Sequence, residues 1–263
     1  QQIINVFDKN SQKLASSWNE SDFTKFLIID NFLTSDQAKY IYNKLPNSGE
    51  KLRSTSFFLK SKKMSSIKLD NFDLSIKNFF LSLQDNNILN KISDVTNIKN
   101  LEADKSLYAG GITMMLKNYF LNPHIDNSHN FKRNAYRRLN LLFYLNPDWR
   151  YEDGGNLEIW DNNVMQSETI LSKFNRLVIM ETNNKSWHSV SKVLSDNPRY
   201  CLSVYLYTKD SPLEKHYYHV TSFYGRPEEK FKRLYYKFDN FLRQQLAKNF
   251  NVSRGKKYKR KKD

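Results

Sequence analysis

The chain has 263 residues, 39% hydrophobic and 14% aromatic, a composition typical of a folded globular protein rather than a disordered chain. Its 42 Lys and Arg against 27 Asp and Glu give a formal net charge of +15, and its single cysteine, Cys201, excludes an internal disulfide and a cysteine-based zinc site. No apolar run approaches the roughly 18 residues of a membrane span, so the sequence predicts no membrane partner and, with one cysteine, a cytoplasmic location.

The first hundred residues are predicted to be mostly helical. The polar start has no signal-peptide segment, although its first residue, Gln1, leaves open whether a leader is missing. "FLIID" (Phe26–Asp30) predicts a short strand, and Thr34 and Gln37 have the spacing of a helix capping box. Apolar residues then recur at helical spacing in three groups: Ala38, Ile41, Tyr42 and Leu45; Phe72, Ile76, Phe79, Phe80 and Leu83; and Ile88, Ile92 and Val95.

From residue 110 the pattern changes to short runs rich in branched and aromatic residues, which predict an antiparallel roll. The runs are "GITMML", "RRLNLLFYL", "NLEIW", "RLVIMET" and "RYCLSVYLYT". After Pro227 the spacing becomes helical again. The sequence predicts an α+β protein with a jelly-roll core over about 108–210, N-terminal packing helices and a C-terminal helix, all in a single domain of residues 1–250.

The tail 251–263 is predicted to be basic and disordered. Its last ten residues, "RGKKYKRKKD", hold seven basic residues and one acid. Contact of this tail with nucleic acid or another anionic surface is the alternative.

His124 and Asp126 raise the question of a metal site. Residues two apart in an extended segment point to the same side, so an imidazole and a carboxylate could converge on one ion. Among the other four histidines, His188 follows the "RLVIMET" strand, and a roll can return it beside His124. His129 lies in the polar loop "NSHNFKRN" and is expected to be exposed, and His216 and His219 are expected to have structural or lid roles. Two histidines and one carboxylate on one face of a metal form the triad of non-haem Fe(II) oxygenases.

Arg199 opens the last predicted strand, eleven residues after His188. On an extended strand it shares a face with Cys201 and Ser203. A guanidinium inside a barrel beside a metal is costly unless it pairs with an anion, and its planar shape suits a carboxylate. The sequence therefore predicts an anionic partner for Arg199, with a carboxylate as the best fit, and a surface arginine at the start of a strand is the alternative.

In these residues the chain resembles the Fe(II)- and 2-oxoglutarate-dependent dioxygenases, in particular their prolyl-4-hydroxylase-like branch. The motifs that carry the resemblance are "HIDN" (His124–Asn127), "LFYLNPDW" (Leu142–Trp149), "GGNLEIW" (Gly154–Trp160), "NRLVIMET" (Asn175–Thr182), "WHSV" (Trp187–Val190) and "RYCLSVYLY" (Arg199–Tyr207). The resemblance implies a double-stranded β-helix in which His124, Asp126 and His188 bind Fe(II).

The resemblance also implies how the cosubstrates are used. Arg199 would pair with the distal carboxylate of 2-oxoglutarate, with Ser203 and Tyr144 assisting. O₂ and 2-oxoglutarate would be consumed, with succinate and CO₂ released and a C–H bond hydroxylated. Ascorbate stays open as an additional cofactor. The implied substrate is a prolyl residue of a peptide or protein, and a free amino acid or another small molecule is the alternative.

The sequence departs from the family pattern at two places and keeps one residue that distinguishes between branches of the family. Met114–Met115 stand where relatives often have a tyrosine, and Ser189 stands where many have glycine. Retention of Asp126 argues against the halogenating branch.

Oxidative demethylation of nucleic acid remains a weaker alternative, because demethylases usually carry a second arginine at the position of Tyr205. A scaffold protein with a degenerate site is a third possibility, which the intact ligand set disfavours. Substrate choice is predicted to depend on the loops Arg53–Ser66 and Ser211–Pro227.

Overall fold

The structure is a computed structural model that describes residues 1–19, 23–47, 51–57, 60–213 and 216–249. The predicted tail 251–263 lies outside these residues, as do short parts of the two predicted substrate loops. Five α-helices are present in the described residues: α1 (Gln2–Asn19), α2 (Ser35–Asn43), α3 (Leu74–Ser82), α4 (Asn86–Thr96) and α5 (Lys230–Asn249). Short 3₁₀ turns lie at Leu69–Asn71 and Tyr151–Asp153.

The N-terminal helices form where the apolar spacing predicts them. The Thr34 hydroxyl accepts a hydrogen bond from the Gln37 backbone amide at 3.3 Å, and the Thr34 backbone amide donates to the Gln37 side-chain oxygen at 3.3 Å, so the capping box of α2 is confirmed. Asp73 and Asp85 cap α3 and α4 in the same way, each accepting from a backbone amide two residues later. α1 is an addition to the predicted elements, and it packs against α4.

Thirteen strands form one antiparallel sheet in the described part of the chain. They are β1 (Phe26–Asp30), β2 (Arg53–Phe57), β3 (Ser61–Ser66), β4 (Glu102–Ala103), β5 (Gly111–Met115), β6 (Phe120–Ile125), β7 (Tyr136–Tyr144), β8 (Leu157–Trp160), β9 (Ser167–Ile170), β10 (Arg176–Glu181), β11 (His188–Val190), β12 (Arg199–Thr208) and β13 (Ser222–Phe223).

The sheet curls on itself. Its main order is β1-β10-β7-β12-β5-β3-β6-β11-β8-β9, with β13 added to β6, β2 to β3 and β4 to β12. β3 pairs with both β5 and β6, so it links the half of the sheet that carries β12 to the half that carries β6 and β11. The predicted α+β class with a rolled antiparallel core is confirmed, and the five strand-like runs all lie in strands.

The segment 53–66 differs from its prediction as a loop. It forms the β2–β3 hairpin, in which Arg53 pairs with Ser65 and Thr55 with Lys63. Its serines and lysines give no apolar alternation, so the sequence carries little strand signal. Pairing of β3 with β5 and β6 provides the stabilisation that the local sequence does not.

The apolar core lies on both sides of the sheet. The larger cluster fills the space between the helices and one face of the sheet, and includes Phe7, Phe80, Phe143 and Leu202. A smaller cluster inside the roll includes Tyr144, Ile159, Met180 and Cys201. Among the described helices, none is both long enough and apolar enough to cross a bilayer.

Candidate active site

Two neighbouring strands bring the three predicted metal ligands together. β6 carries His124 and ends one residue before Asp126, and β11 begins at His188, the register partner of His124. His124 Nε2 lies 3.8 Å from Asp126 Oδ1, and His188 Nε2 lies 3.7 Å from Asp126 Oδ2. All three side chains are buried, and one ligand atom from each lies within 4.8 Å of the other two. They could hold a metal ion on one face and leave its other face open.

Backbone carbonyls orient both imidazoles for metal binding. His124 Nδ1 lies 3.0 Å from the Asn122 carbonyl oxygen, and His188 Nδ1 lies 3.0 Å from the Ser186 carbonyl oxygen. Because a carbonyl only accepts, each Nδ1 must donate, so Nε2 is the atom of each ring whose lone pair can bind a metal. Burial lowers the pKa of His124 to about 3, with the nearby His188 adding to the effect, so His124 is neutral near pH 7.

Asp126 is held as a carboxylate. Burial opposes its ionisation, but His188 and the Arg137 guanidinium outweigh burial and hold the pKa of Asp126 below its ordinary value. The Tyr205 hydroxyl donates to Asp126 Oδ2 at 2.9 Å, and Arg137 Nη1 lies 3.7 Å from Oδ1. Tyr205, which occupies the position of the second arginine in demethylases, therefore orients a predicted metal ligand.

Arg137 is a site residue that the sequence does not reveal. The register between β7 and β12 shifts near Arg138, with Leu206 opposite Leu139 and Tyr207 opposite Arg137. A bulge of this kind turns the next side chain. It places the buried Arg137 guanidinium 3.7 Å from the centre of the Tyr205 ring and near Asp126. Arg137 Nε and Nη1 are buried without a hydrogen-bond partner in the described part of the chain.

Arg199 lies in a buried pocket lined by neutral groups. Its Nε donates to the Gly155 carbonyl oxygen, and its Nη2 lies 3.2 Å from Ser172 Oγ. Its Nη1 lies 3.8 Å from Met115 Sδ, so Met115 fills space at the position where relatives often have a tyrosine. Within the described residues, no carboxylate lies within 4.0 Å of this guanidinium.

Tyr144 completes a cradle for an anion. Its ring centre lies 5.0 Å from Arg199 Cζ, and its buried hydroxyl has no hydrogen-bond partner among the described residues. Burial raises the pKa of Tyr144 above its ordinary value, so the hydroxyl keeps its proton and can donate it. A cation and an unused donor side by side fit the distal carboxylate of 2-oxoglutarate.

Gly155 leaves room for the guanidinium stem. Its φ is +63°, and a Cβ there would lie 2.9 Å from Arg199 Cδ. The Gly154–Gly155 pair at the start of the "NLEIW" run is therefore required both by backbone conformation and by the packing of Arg199.

Ser203 lies farther along β12, away from the contacts of Arg199. Its hydroxyl lies 3.4 Å from the Gly111 carbonyl oxygen, and the hydroxyl that contacts Arg199 belongs to Ser172. The loop that carries Ser172 follows β9, and nothing in its local sequence indicates this contact. A role for Ser203 in cosubstrate binding stays a prediction.

The triad and Arg199 face the same interior. His188 is the register partner of Ile159, so their side chains point to one side of the sheet. Ile159 packs in the same cluster as Tyr144 and Cys201, which lie beside Arg199 in space and on β12.

The segment after β12 folds back over the metal ligands. β13 pairs with β6, with Phe223 opposite His124, and the two rings stack at 5.4 Å. His219 Nε2 lies 2.8 Å from the Asp126 carbonyl oxygen and donates to it. His129 is only 2% exposed and bonds through Nδ1 to Ser128 Oγ, so the expectation that it is exposed was wrong. Its polar loop is covered by the aromatic residues 216–218.

Ser189, the residue after the second histidine, belongs to a buried polar network. Its hydroxyl donates to Glu158 and accepts from Trp160 Nε1 at 2.7 Å. Arg226, just after β13, binds both oxygens of Glu158, at 3.0 and 2.6 Å. The serine thus helps to connect the C-terminal segment to the strand that carries His188.

Comparisons with known proteins agree with this geometry. Residues 110–207 match the model of the 2OG-Fe(II) oxygenase superfamily. Prolyl 3-hydroxylase OGFOD1 of Xenopus laevis is 37% identical over 65 residues, which are 23% of this chain and 13% of the relative. The chain therefore matches only a small part of the length of that curated relative.

Two solved structures have the same fold. A prolyl hydroxylase of Trichoplax adhaerens, in complex with a hypoxia inducible factor peptide fragment, has a TM-score of 0.53 at 20% identity and covers 77% of this chain and 92% of its own. A prolyl-4-hydroxylase of Pseudomonas putida has a TM-score of 0.51 at 13% identity, with 74% and 98% covered. The predicted double-stranded β-helix is confirmed, and the segment that matches the 2OG-Fe(II) oxygenase superfamily model contains the His-Asp-His cluster.

Proposed function

We propose that the protein is an Fe(II)- and 2-oxoglutarate-dependent dioxygenase that hydroxylates a prolyl residue of a peptide chain. The observation that carries the proposal is the buried His124–Asp126–His188 cluster facing the same interior as Arg199, a guanidinium without a carboxylate partner in the described residues. When bound, Fe(II) supplies oxidative chemistry in which O₂ converts 2-oxoglutarate to succinate and CO₂ and hydroxylates a C–H bond.

The chain's own residues bind, orient and exclude water. His124, Asp126 and His188 hold the metal, while Tyr205 and Arg137 fix the carboxylate of Asp126. Arg199 and Tyr144 take the distal carboxylate of 2-oxoglutarate, with Ser203 as the further predicted contact. Burial of the triad keeps bulk water from the reacting atoms.

A peptide substrate is supported by Arg137 and by the relatives. Arg137 lies next to Asp126, and its Nε, which has no hydrogen-bond partner in the described residues, suits the carbonyl oxygen of a peptide bond. The relatives described above are named as prolyl hydroxylases, and one was solved with a peptide fragment. A free amino acid or another small molecule is the second candidate, because one carboxylate could use the same donor.

Three further expectations belong to the same proposal. The chain 1–250 acts as a single oxygenase domain, ascorbate remains an additional cofactor candidate, and the buried thiol of the sole cysteine, Cys201, supports a cytoplasmic location. Nucleic-acid contact by the basic tail 251–263 stays a separate hypothesis. Oxidative demethylation is disfavoured, since the place of its second arginine is taken by Tyr205 bound to Asp126.

An anaerobic titration with Fe(II) and then 2-oxoglutarate tests the cofactors. We expect a saturable visible charge-transfer band in the wild type and its loss in His188→Ala, because one ligand of the metal is then missing. His216→Ala is the control, since His216 is an exposed histidine outside the cluster. A band that persists in His188→Ala, or its absence from folded wild type, would contradict the proposed site.

Turnover assays then identify the substrate class. Succinate release would be measured with proline-containing peptides, free proline and methylated single-stranded DNA, and products examined by mass spectrometry. We expect hydroxyproline in a peptide. Turnover with free amino acids or DNA alone would replace the peptide assignment and leave the cofactor assignment in place.

A further inference from the structure

The outward face of α5 is the largest apolar feature on the surface of the described chain. Of the fifteen large hydrophobic side chains that are exposed in the described residues, seven lie on this one helix. Phe231 is 93% exposed, and the others are between 43% and 72% exposed: Leu234, Tyr235, Phe238, Phe241, Leu242 and Leu246. Single exposed apolar residues are ordinary, but a contiguous set indicates an interaction site.

These seven residues form one continuous stripe, which we call the apolar stripe. At 3.6 residues per turn, their positions cover less than half of the helix circumference. The opposite side of α5 packs on the domain through the buried Tyr236 and Ala247. Asn240 also exchanges hydrogen bonds with the Phe223 backbone, and Gln244 does so with Val220. The stripe therefore points away from the domain and toward solvent.

Basic residues border the apolar stripe on both edges. Helical geometry places Lys230 and Lys237 along one edge and Lys232 and Arg243 along the other. The one acidic residue of the helix, Asp239, is paired with Lys60 at 2.6 Å and with Arg243 at 3.7 Å, and Lys232 is paired with Glu229 just before the helix. The basic sequence "RGKKYKRKKD" follows the helix a few residues later, so positive charge continues beyond it.

We propose that α5 docks the protein onto an anionic lipid surface, with the apolar stripe inserted at the headgroup level and the basic edges contacting the headgroups. Phe, Leu and Tyr on one face with Lys and Arg at its borders are typical of helices that lie in the plane of a membrane. Stable binding of this kind needs an apolar and a basic component, and both are present. The absence of a long apolar run from the sequence concerns only helices that span a bilayer.

A second copy of the chain fits the stripe less well. Antiparallel pairing of two α5 helices sets each edge against the same edge of the other helix, so Lys232 approaches Arg243, and parallel pairing sets the two different edges together, so Lys230 approaches Lys232. Both arrangements set like charges along the contact, which disfavours pairing. An anionic surface instead complements both edges at once.

Vesicle co-sedimentation with the full chain tests the proposal. The probes are phosphatidylcholine vesicles alone and vesicles of phosphatidylcholine and phosphatidylglycerol at about two to one. We expect binding to the anionic vesicles, weakened by salt. The triple variant Phe231→Ser, Phe238→Ser and Phe241→Ser should partition about tenfold less or weaker still, because binding scales with the apolar area that is inserted. The control variant replaces three exposed hydrophobic residues elsewhere, Leu74→Ser, Leu81→Ser and Tyr151→Ser, and should bind as the wild type does.

Three results would overturn the proposal. The first is no binding of the wild type to anionic vesicles. The second is undiminished binding of the Phe variant, which retains the basic tail and would show attraction by charge alone. The third is a wild-type dimer in sedimentation that the Phe variant converts to a monomer, which would assign the stripe to a second copy. The charge-transfer band of each variant reports an intact active site, so failure here is distinguishable from failure of the proposed oxygenase function.

Discussion

The environment of Arg199 contains neutral groups where a buried guanidinium would ordinarily have an anion. Its contacts are the Gly155 carbonyl, the Ser172 hydroxyl and the Met115 sulfur. A buried cation without a counter-charge is destabilising by several kcal/mol unless a ligand brings the charge. The pocket therefore has a strong electrostatic preference for a carboxylate.

Arg199→Ala is expected to raise the 2-oxoglutarate concentration for half-maximal charge-transfer signal by about tenfold to one hundredfold. A hydrogen bond to a charged group contributes about 1.5–3 kcal/mol, and about 1.4 kcal/mol corresponds to a factor of ten. For Arg199→Lys this concentration should lie between those of the wild type and Arg199→Ala, because lysine keeps the charge but loses the planar guanidinium group. Arg150→Ala is the control, since Arg150 is paired at the surface with Glu152. An unchanged 2-oxoglutarate requirement in Arg199→Ala would remove Arg199 from the cosubstrate site.

At this scale the sequence reveals the residues whose spacing is local. His124 and Asp126 are two apart at the end of one strand, and His188 and Arg199 each begin a strand. Arg137 and Ser172 are not visible in this way, because a bulge aims the first and a distant loop delivers the second.

At the scale of elements, β13 and α5 close one side of the metal site. β13 lies on β6 beside His124, and Tyr236 of α5 lies 3.4 Å from the side chain of Asn122, whose carbonyl orients His124. The bond between Arg226 and Glu158 ties this unit to β8.

Two residues of strand cannot be recognised in a sequence, and neither can the β2–β3 hairpin, whose serines and lysines have no apolar alternation. The long helices and the apolar strands can be recognised in the sequence, because their buried residues recur with a regular period.

Arg226→Ala is expected to lower the free energy of unfolding by about 3 kcal/mol, because Glu158 would be left buried without its cation. Urea unfolding measures the change. Arg150→Ala breaks an exposed pair with Glu152 and should cost less than about 1 kcal/mol. Equal losses in the two variants would show that the Arg226–Glu158 pair is no more important than a surface contact.

At the scale of the whole molecule, buried histidines make stability depend on pH. Burial lowers the pKa of His129 from 6.5 to about 4, with His216 and His219 adding to the effect, and burial also lowers the pKa of His219. A histidine whose pKa falls on folding binds protons more readily in the unfolded chain. The contribution of such a histidine to the free energy of unfolding is fully present above pH 6.5 and is lost as the pH falls toward 4.

The contribution of His129 to the free energy of unfolding should fall by about 2 kcal/mol as the pH is lowered from about 7.5 to about 5. His129→Gln removes the titrating group, so the difference between urea unfolding at the two pH values should shrink by about this amount. An unchanged pH dependence in His129→Gln would show that this ring is not kept neutral by the fold.

The pairing of β13 with β6 also determines the order in which the centre is completed. His124 and His188 meet when β11 joins β6, whereas the strand that shields His124 follows it by about 100 residues. A chain made from its N-terminus releases all three predicted ligands from the ribosome before it releases Phe223. We therefore expect each newly made molecule to pass through a stage in which the ligands are assembled but open to water, and in which a metal ion can enter without displacing the cover.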